Sequence, residues 1–187
     1  RYARVTGVQT CALPISMLSR GADMLFELKS VFQNDGEEKQ VEYNLDLSGL
    51  DVDGVYPFKT PVAVTAKATN RASLITLVIN AHFDYSRDCD RCGEPYTREM
   101  NMSFEHMLIQ TLADEDNDDY IETPDFTLEL DDVVISDIFL SLPSKNLCRD
   151  DCKGLCQICG QNLNNGECSC DKRQTDPRLE ILKQLID

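Results

Sequence analysis

Cys148-Arg-Asp-Asp-Cys152-Lys-Gly-Leu-Cys156-Gln-Ile-Cys159-Gly-Gln-Asn-Leu-Asn-Asn-Gly-Glu-Cys168-Ser-Cys170 places six cysteines within 23 residues. Upstream, Cys89-Asp-Arg-Cys92-Gly93 repeats the spelling of Cys156-Gln-Ile-Cys159-Gly160. A C-x-x-C turn aims two thiolates at one point, and the next residue often needs the positive φ that glycine adopts at little steric cost. Eight such thiols complete two four-thiolate tetrahedra. Zinc binding to such modules supplies folding free energy on the order of 10–16 kcal/mol, so the cysteines provide a folding mechanism as well as a site.

Zinc in a closed structural site takes four ligands. Cys156, Cys159, Cys168 and Cys170 are close in sequence and need only a turn at Asn164-Asn165-Gly166 to converge. Cys148 and Cys152 have i, i+4 spacing, which would put them on one face of a helical turn, and Cys89 with Cys92 are the remaining pair. Closing that second set spans a long loop, but loop-closure entropy grows only logarithmically with length. This local arrangement is the expectation. The alternative is a ribbon in which the two C-x-x-C-G knuckles share one zinc.

Between Leu25 and Ile109 the pattern is mostly strand. Leu25 to Phe32 reads as a strand, followed by a polar turn at Asn34-Asp35-Gly36. Val41 to Leu47 alternates, as do Val62, Val64, Ala66 and Ala68, with Asn70-Arg71 placed to turn the chain. Leu77, Ile79, Ala81, Phe83 and Tyr85 line one face at period two, and Met100, Met102, Phe104, His106 and Leu108 line another. The Cys89 knuckle then caps a β-hairpin, with Gly93 and Pro95 in the turn. Asp131 to Leu142 reads as a helix, capped by Asp131 or Asp132 and stopped by Pro143. Its apolar stripe is Val134, Ile135, Ile138, Phe139 and Leu142. Asp176-Pro177-Arg178 opens a final helix. The expected fold is α+β: an antiparallel β-meander with a few short helices and a C-terminal Cys-rich zinc module. The expected domains are 24–143 and 144–187.

Residues 1–16, RYARVTGVQTCALPIS, share no periodicity with the rest of the chain. They resemble translated sequencing-adapter read-through and lack the apolar core of a secretory signal. The native start is expected at Met17 or Met24, and Cys11 is left out of the metal count. With C-x-x-C spacing in place of a secreted disulfide framework, the chain reads as cytoplasmic.

The formal net charge is -15, and two closed four-thiolate sites add about -4. Asp114-Glu-Asp-Asn-Asp-Asp119 is the densest run, and no Lys or Arg occurs between Arg98 and Lys145. Such a run is ordinarily a solvated loop; its sharper reading is a docking surface for a basic partner. RNA affinity comes largely from Lys and Arg neutralising phosphates. Here the basic residues are dispersed, with small groups such as Lys172-Arg173 and Arg178.

Enzyme signatures are missing. No G-x-S-x-G, P-loop or dinucleotide fingerprint occurs. A thioredoxin-like site would start a helix after a strand, whereas the first knuckle interrupts two strands and the second sits in a Gly/Asn-rich loop. A zinc hydrolase keeps an open coordination position, and the two histidines, His82 and His106, each fall inside a strand pattern as ordinary sheet residues.

Leu140-Ser-Leu-Pro143, the Cys148–Cys170 run, Asp176-Pro-Arg178 and the central Cys89-Asp-Arg-Cys92-Gly93 together closely resemble the bacterial YceD family, the large ribosomal RNA subunit accumulation proteins. The resemblance covers the chain after Met24. It implies a cytoplasmic, non-enzymatic role in accumulating large-subunit rRNA. The charge pattern favours ribosomal proteins or assembly factors as partners, with direct rRNA binding as the alternative and thiol redox chemistry as a second one. No membrane and no small-molecule substrate are expected. The expected cofactor is two structural zinc ions on Cys89, Cys92, Cys148, Cys152, Cys156, Cys159, Cys168 and Cys170.

Overall fold

The structure, a computed structural model, describes residues 24–111 and 120–170. The readings for residues 1–16, the Asp114–Asp119 run, Lys172-Arg173 and the helix opening at Asp176 lie outside the described residues.

The elements run in the order β1 (Leu25–Glu27), α1 (Lys29–Gln33), β2 (Glu38–Leu45), β3 (Val62–Arg71), β4 (Leu74–Asp88), β5 (Pro95–Ile109), β6 (Tyr120–Glu122), β7 (Thr127–Glu129) and α2 (Leu130–Ser141). Five strands form one sheet in the order β2-β3-β4-β5-β6, and β1 pairs with β7 in a second, two-stranded sheet. The described residues are therefore mostly sheet with few helices. The meander is antiparallel through β2, β3 and β4, but β6 lies parallel to β5, with Met107 opposite Tyr120. That makes the sheet mixed where pure antiparallel order was expected. A three-residue strand carries too little pattern to announce its direction.

The chain divides into two compact units. Of the described residues, the first takes those from Met24 to Tyr85 and those within Arg98–Leu142. Its core shows why period-two apolar residues became strands: Val62, Val64, Ala66 and Ala68 of β3 and Leu77, Ile79, Ala81, Phe83 and Tyr85 of β4 are all buried. They share one apolar cluster with Leu130, Val134, Ile135 and Ile138 of α2 and with Phe26, Leu28 and Val31. Each fully buried large side chain contributes about 1.5–3 kcal/mol. On β5, Met100, Met102 and Phe104 pack partly buried against the same cluster. The long β2–β3 connection also belongs to it, through Leu47, Leu50, Val52 and Phe58. The Phe58 ring stands 5.4 Å from Phe83 and 5.9 Å from Tyr85.

Three local expectations are corrected. Leu25 to Phe32 is not one strand: β1 ends at Glu27 and α1 follows, because Leu28 and Val31 both turn inward while Asn70 Nδ2 donates to Val31 O at 2.7 Å. The β3–β4 turn is not at Asn70-Arg71; Arg71 still pairs with Leu74, and Ala72 (φ 53) and Ser73 (φ 65) form the turn. Two residues with positive φ match the right-handed twist of a tight hairpin, and Asp35 Oδ1 accepts from Ala72 N–H at 2.6 Å. Neither Asp131 nor Asp132 caps α2, whose N-cap position is Glu129 with no side-chain cap. Asp131 is buried and accepts from Met24 N–H instead. Burial and the neighbouring Asp131 carboxylate push the Tyr43 hydroxyl above its usual range.

Of the described residues, the second unit takes Ser86–Thr97 and those from Pro143 to Cys170. It therefore holds the tip of the β4–β5 hairpin together with the Cys-rich segment. Among the described residues, no helix is long and apolar enough to cross a membrane.

Candidate metal centres

All eight thiols lie in the second unit, in two groups of four: Cys89, Cys92, Cys148, Cys152 and Cys156, Cys159, Cys168, Cys170. Within each group the sulfurs lie within 4.8 Å of one another. The grouping is that of the local arrangement, so the two knuckles fall in different clusters. Zn–S bonds of about 2.3 Å in a regular tetrahedron put sulfurs about 3.8 Å apart. Cys89 Sγ to Cys152 Sγ and Cys92 Sγ to Cys148 Sγ both measure 3.8 Å. The donor set and its spacing therefore fit a tetrahedral thiophilic dication such as Zn²⁺.

The two knuckles are the same turn built twice. Gly93 N–H donates to Cys89 O and Gly160 N–H donates to Cys156 O, each at 2.8 Å. In return, Cys89 N–H donates to Glu94 O and Cys156 N–H to Gln161 O. Gly93 (φ 69) and Gly160 (φ 74) supply the left-handed residue that each turn requires. Cys148 and Cys152 do not sit on a helical turn as expected. Cys152 N–H donates to Arg149 O, a single tight turn that brings both sulfurs to one side without continuing into a helix.

The two residues inside the first knuckle clamp the C-terminal segment. Asp90 N–H donates to Asn146 O and Asp90 Oδ2 accepts from Asn146 N–H. Arg91 Nη1 donates to Cys152 O at 2.9 Å, while Arg91 O accepts from Leu155 N–H at 3.1 Å. Asn164 Nδ2 donates to Cys152 Sγ at 3.3 Å. These contacts orient the ligands from outside, as hydrogen bonds behind a metal site commonly do. Cysteine spacing does not single out Asp90, Arg91, Asn146 and Asn164 for this role. The one available signal is the polar pair Asp90-Arg91 inside a knuckle whose counterpart is Gln157-Ile158.

Hydrogen bonding and burial together split the thiols within each cluster. Burial pushes the Cys89 thiol up, but backbone N–H groups of Cys148, Cys92 and Arg91 outweigh it and hold it at about 6. The Asn164 amide, against burial and helped by Gly154 N–H, holds Cys152 below the usual thiol range. Burial, followed by the Cys152, Cys89 and Cys92 sulfurs, pushes Cys148 up to about 12. Glu94 N–H works downward on Cys92, but burial and the neighbouring thiols leave it raised. In the second cluster, N–H groups of Cys159 and Ile158 hold Cys156 at about 6, whereas the Cys159 sulfur and then burial push Cys170 up to about 12. Each cluster thus combines sulfurs that hold charge readily with sulfurs that keep their protons until a cation replaces them.

The histidines have other partners. His106 Nε2 lies 2.7 Å from Asp137 Oδ2, linking β5 to α2, and His82 Nδ1 lies 2.7 Å from Asn101 Oδ1 on the neighbouring strand. Among the described residues, neither group of potential metal ligands includes a histidine or a carboxylate.

A family model described as large ribosomal RNA subunit accumulation protein YceD matches residues 77–186. An uncharacterized protein of Mycobacterium tuberculosis is 29% identical over 103 residues, covering 53% of this chain and 49% of its own length. The chloroplastic large ribosomal RNA subunit accumulation protein YCED homolog 1 of Zea mays is 27% identical over 164 residues, covering 70% of this chain and 56% of its own length. The Arabidopsis thaliana protein of the same name is 26% identical over 151 residues, covering 65% of this chain and 47% of its own length. The chain spans about half the length of the curated relatives it matches. No solved structure matches it. The family match covers more than half of the chain and takes in both four-thiol clusters; the chain belongs to the YceD family.

Proposed function

We propose that this protein is a non-enzymatic, cytoplasmic ribosome-assembly factor that supports accumulation of large-subunit rRNA, and that it acts through protein–protein contacts. The observation that carries the reading is the family match across both clusters, together with the plant relatives named for rRNA accumulation. Each cluster holds one structural Zn²⁺ in this reading. Four thiolates close the coordination shell and leave no position for substrate or water, which suits a scaffold better than a hydrolase.

The choice of protein over RNA as the direct partner rests on charge. A chain at -15 repels a phosphate backbone and is drawn to Lys- and Arg-rich proteins, which abound in assembling ribosomal subunits. Ultraviolet and chemical crosslinking of the tagged protein in cells tests this. Basic ribosomal proteins or assembly factors recovered without a defined rRNA site support the adaptor. A single crosslinked rRNA segment would replace it with direct RNA binding.

A further inference from the structure

Asn164 lies in the loop between Cys159 and Cys168, two thiols of the second cluster, yet its side chain serves the first. Nδ2 donates to Cys152 Sγ at 3.3 Å and Oδ1 accepts from Lys153 N–H at 2.8 Å. Leu163 N–H donates to Gly154 O at 2.9 Å, and Asn164 N–H is itself held by Asn162 Oδ1 at 2.9 Å. A loop anchored at both ends by ligands of one site therefore grips residues 152–154 at the edge of the other. Metal in the second cluster would pin Cys159 and Cys168 and so reduce the freedom of the loop between them. Part of the ordering needed to aim an N–H at Cys152 would then already be done. A donor aimed at a metal-bound thiolate stabilises the excess negative charge of a four-thiolate site.

We propose that the two clusters are thermodynamically coupled metal sites and that Asn164 is the positioning residue that couples them. Zinc in the second site raises the affinity of the first, and zinc in the first raises that of the second by the same factor. The inference rests on reading both clusters as zinc sites.

The test uses the full chain and Zn²⁺, with occupancy read in competition against a chelator. The Gly93 and Gly160 amide resonances report the first and second site separately, because each N–H closes its own knuckle. Asn164→Asp is the informative variant. It keeps the size of the side chain and the Oδ1 acceptor for Lys153, but removes the donor and sets a carboxylate beside sulfur. The expected result is a loss of about 10–100-fold in first-site affinity, with a parallel loss at the second site. Cys168→Ser/Cys170→Ser should weaken the first site by a similar factor, and adding Asn164→Asp to that double variant should cost little more. The coupling is overturned if the first site is indifferent to dismantling the second, or if Asn164→Asp weakens it equally in both backgrounds. Failure of the zinc reading itself looks different: the wild-type chain would take up no zinc at either resonance before any variant is made, and the coupling would fall with it.

Discussion

Gly154 lies against Arg91 so closely that a Cβ there would stand 3.0 Å from the Arg91 carbonyl oxygen, and its φ is +73. The first knuckle and the chain leading to the second therefore meet backbone to backbone, with Leu155 N–H donating to that same oxygen. Gly154→Ala must push the two stretches of backbone apart. Left-handed strain alone costs about 1–2 kcal/mol, and the lost approach adds to it. Zinc retained against a chelator should fall in this variant more than in Arg91→Ala, which removes the guanidinium but leaves the carbonyl. Equal retention in Gly154→Ala and wild type would show that the close approach is not needed.

Zinc uptake should release protons. In the first cluster, Cys89 and Cys152 are held down and Cys92 and Cys148 are pushed up. Near neutral pH Cys92 and Cys148 still carry their protons, so binding at the first cluster expels at least those two. Affinity at this cluster therefore rises with pH, by at least about a hundredfold per unit, and is lost on acidification. Calorimetry in buffers of different ionisation enthalpy counts the protons. A count near zero would mean that the thiols are not the ligands.

The strand faces were legible because a half-buried strand must alternate. Leu77 to Tyr85 is the clearest case, with the buried residue falling at every second position. The clusters were legible because C-x-x-C-G encodes a turn. What spacing does not encode is which polar side chain reaches across. Asp90, Arg91 and Asn164 act through residues 11 to more than 50 positions away. The Leu25–Phe32 segment misled because its apolar residues suit either element, and only the inward turn of Leu28 and Val31 decides between them. Phe58 was missed because a buried loop residue has no period.

Leu77 is fully buried between neighbouring strands of the sheet. Leu77→Ala should lower the stability of the first unit by about 2–5 kcal/mol, the cost of a core cavity. Thermal unfolding followed by far-ultraviolet circular dichroism measures it. A loss below about 1 kcal/mol would place the core elsewhere.

Charge should govern partner association. Replacing Asp114, Asp116, Asp118 and Asp119 with Asn is expected to slow binding to assembly intermediates and flatten its salt dependence. If RNA is the partner, the same variant binds purified rRNA more tightly, and substitution of Lys172, Arg173 and Arg178 weakens binding with a shallower salt slope.

Both centres stand or fall on the metal content of the protein purified without chelator, measured by elemental analysis alongside a thiol titration. Two zinc ions per chain are expected, held by Cys89, Cys92, Cys148 and Cys152 and by Cys156, Cys159, Cys168 and Cys170. One zinc or fewer per chain, with the thiols still reduced, would contradict the two-site assignment.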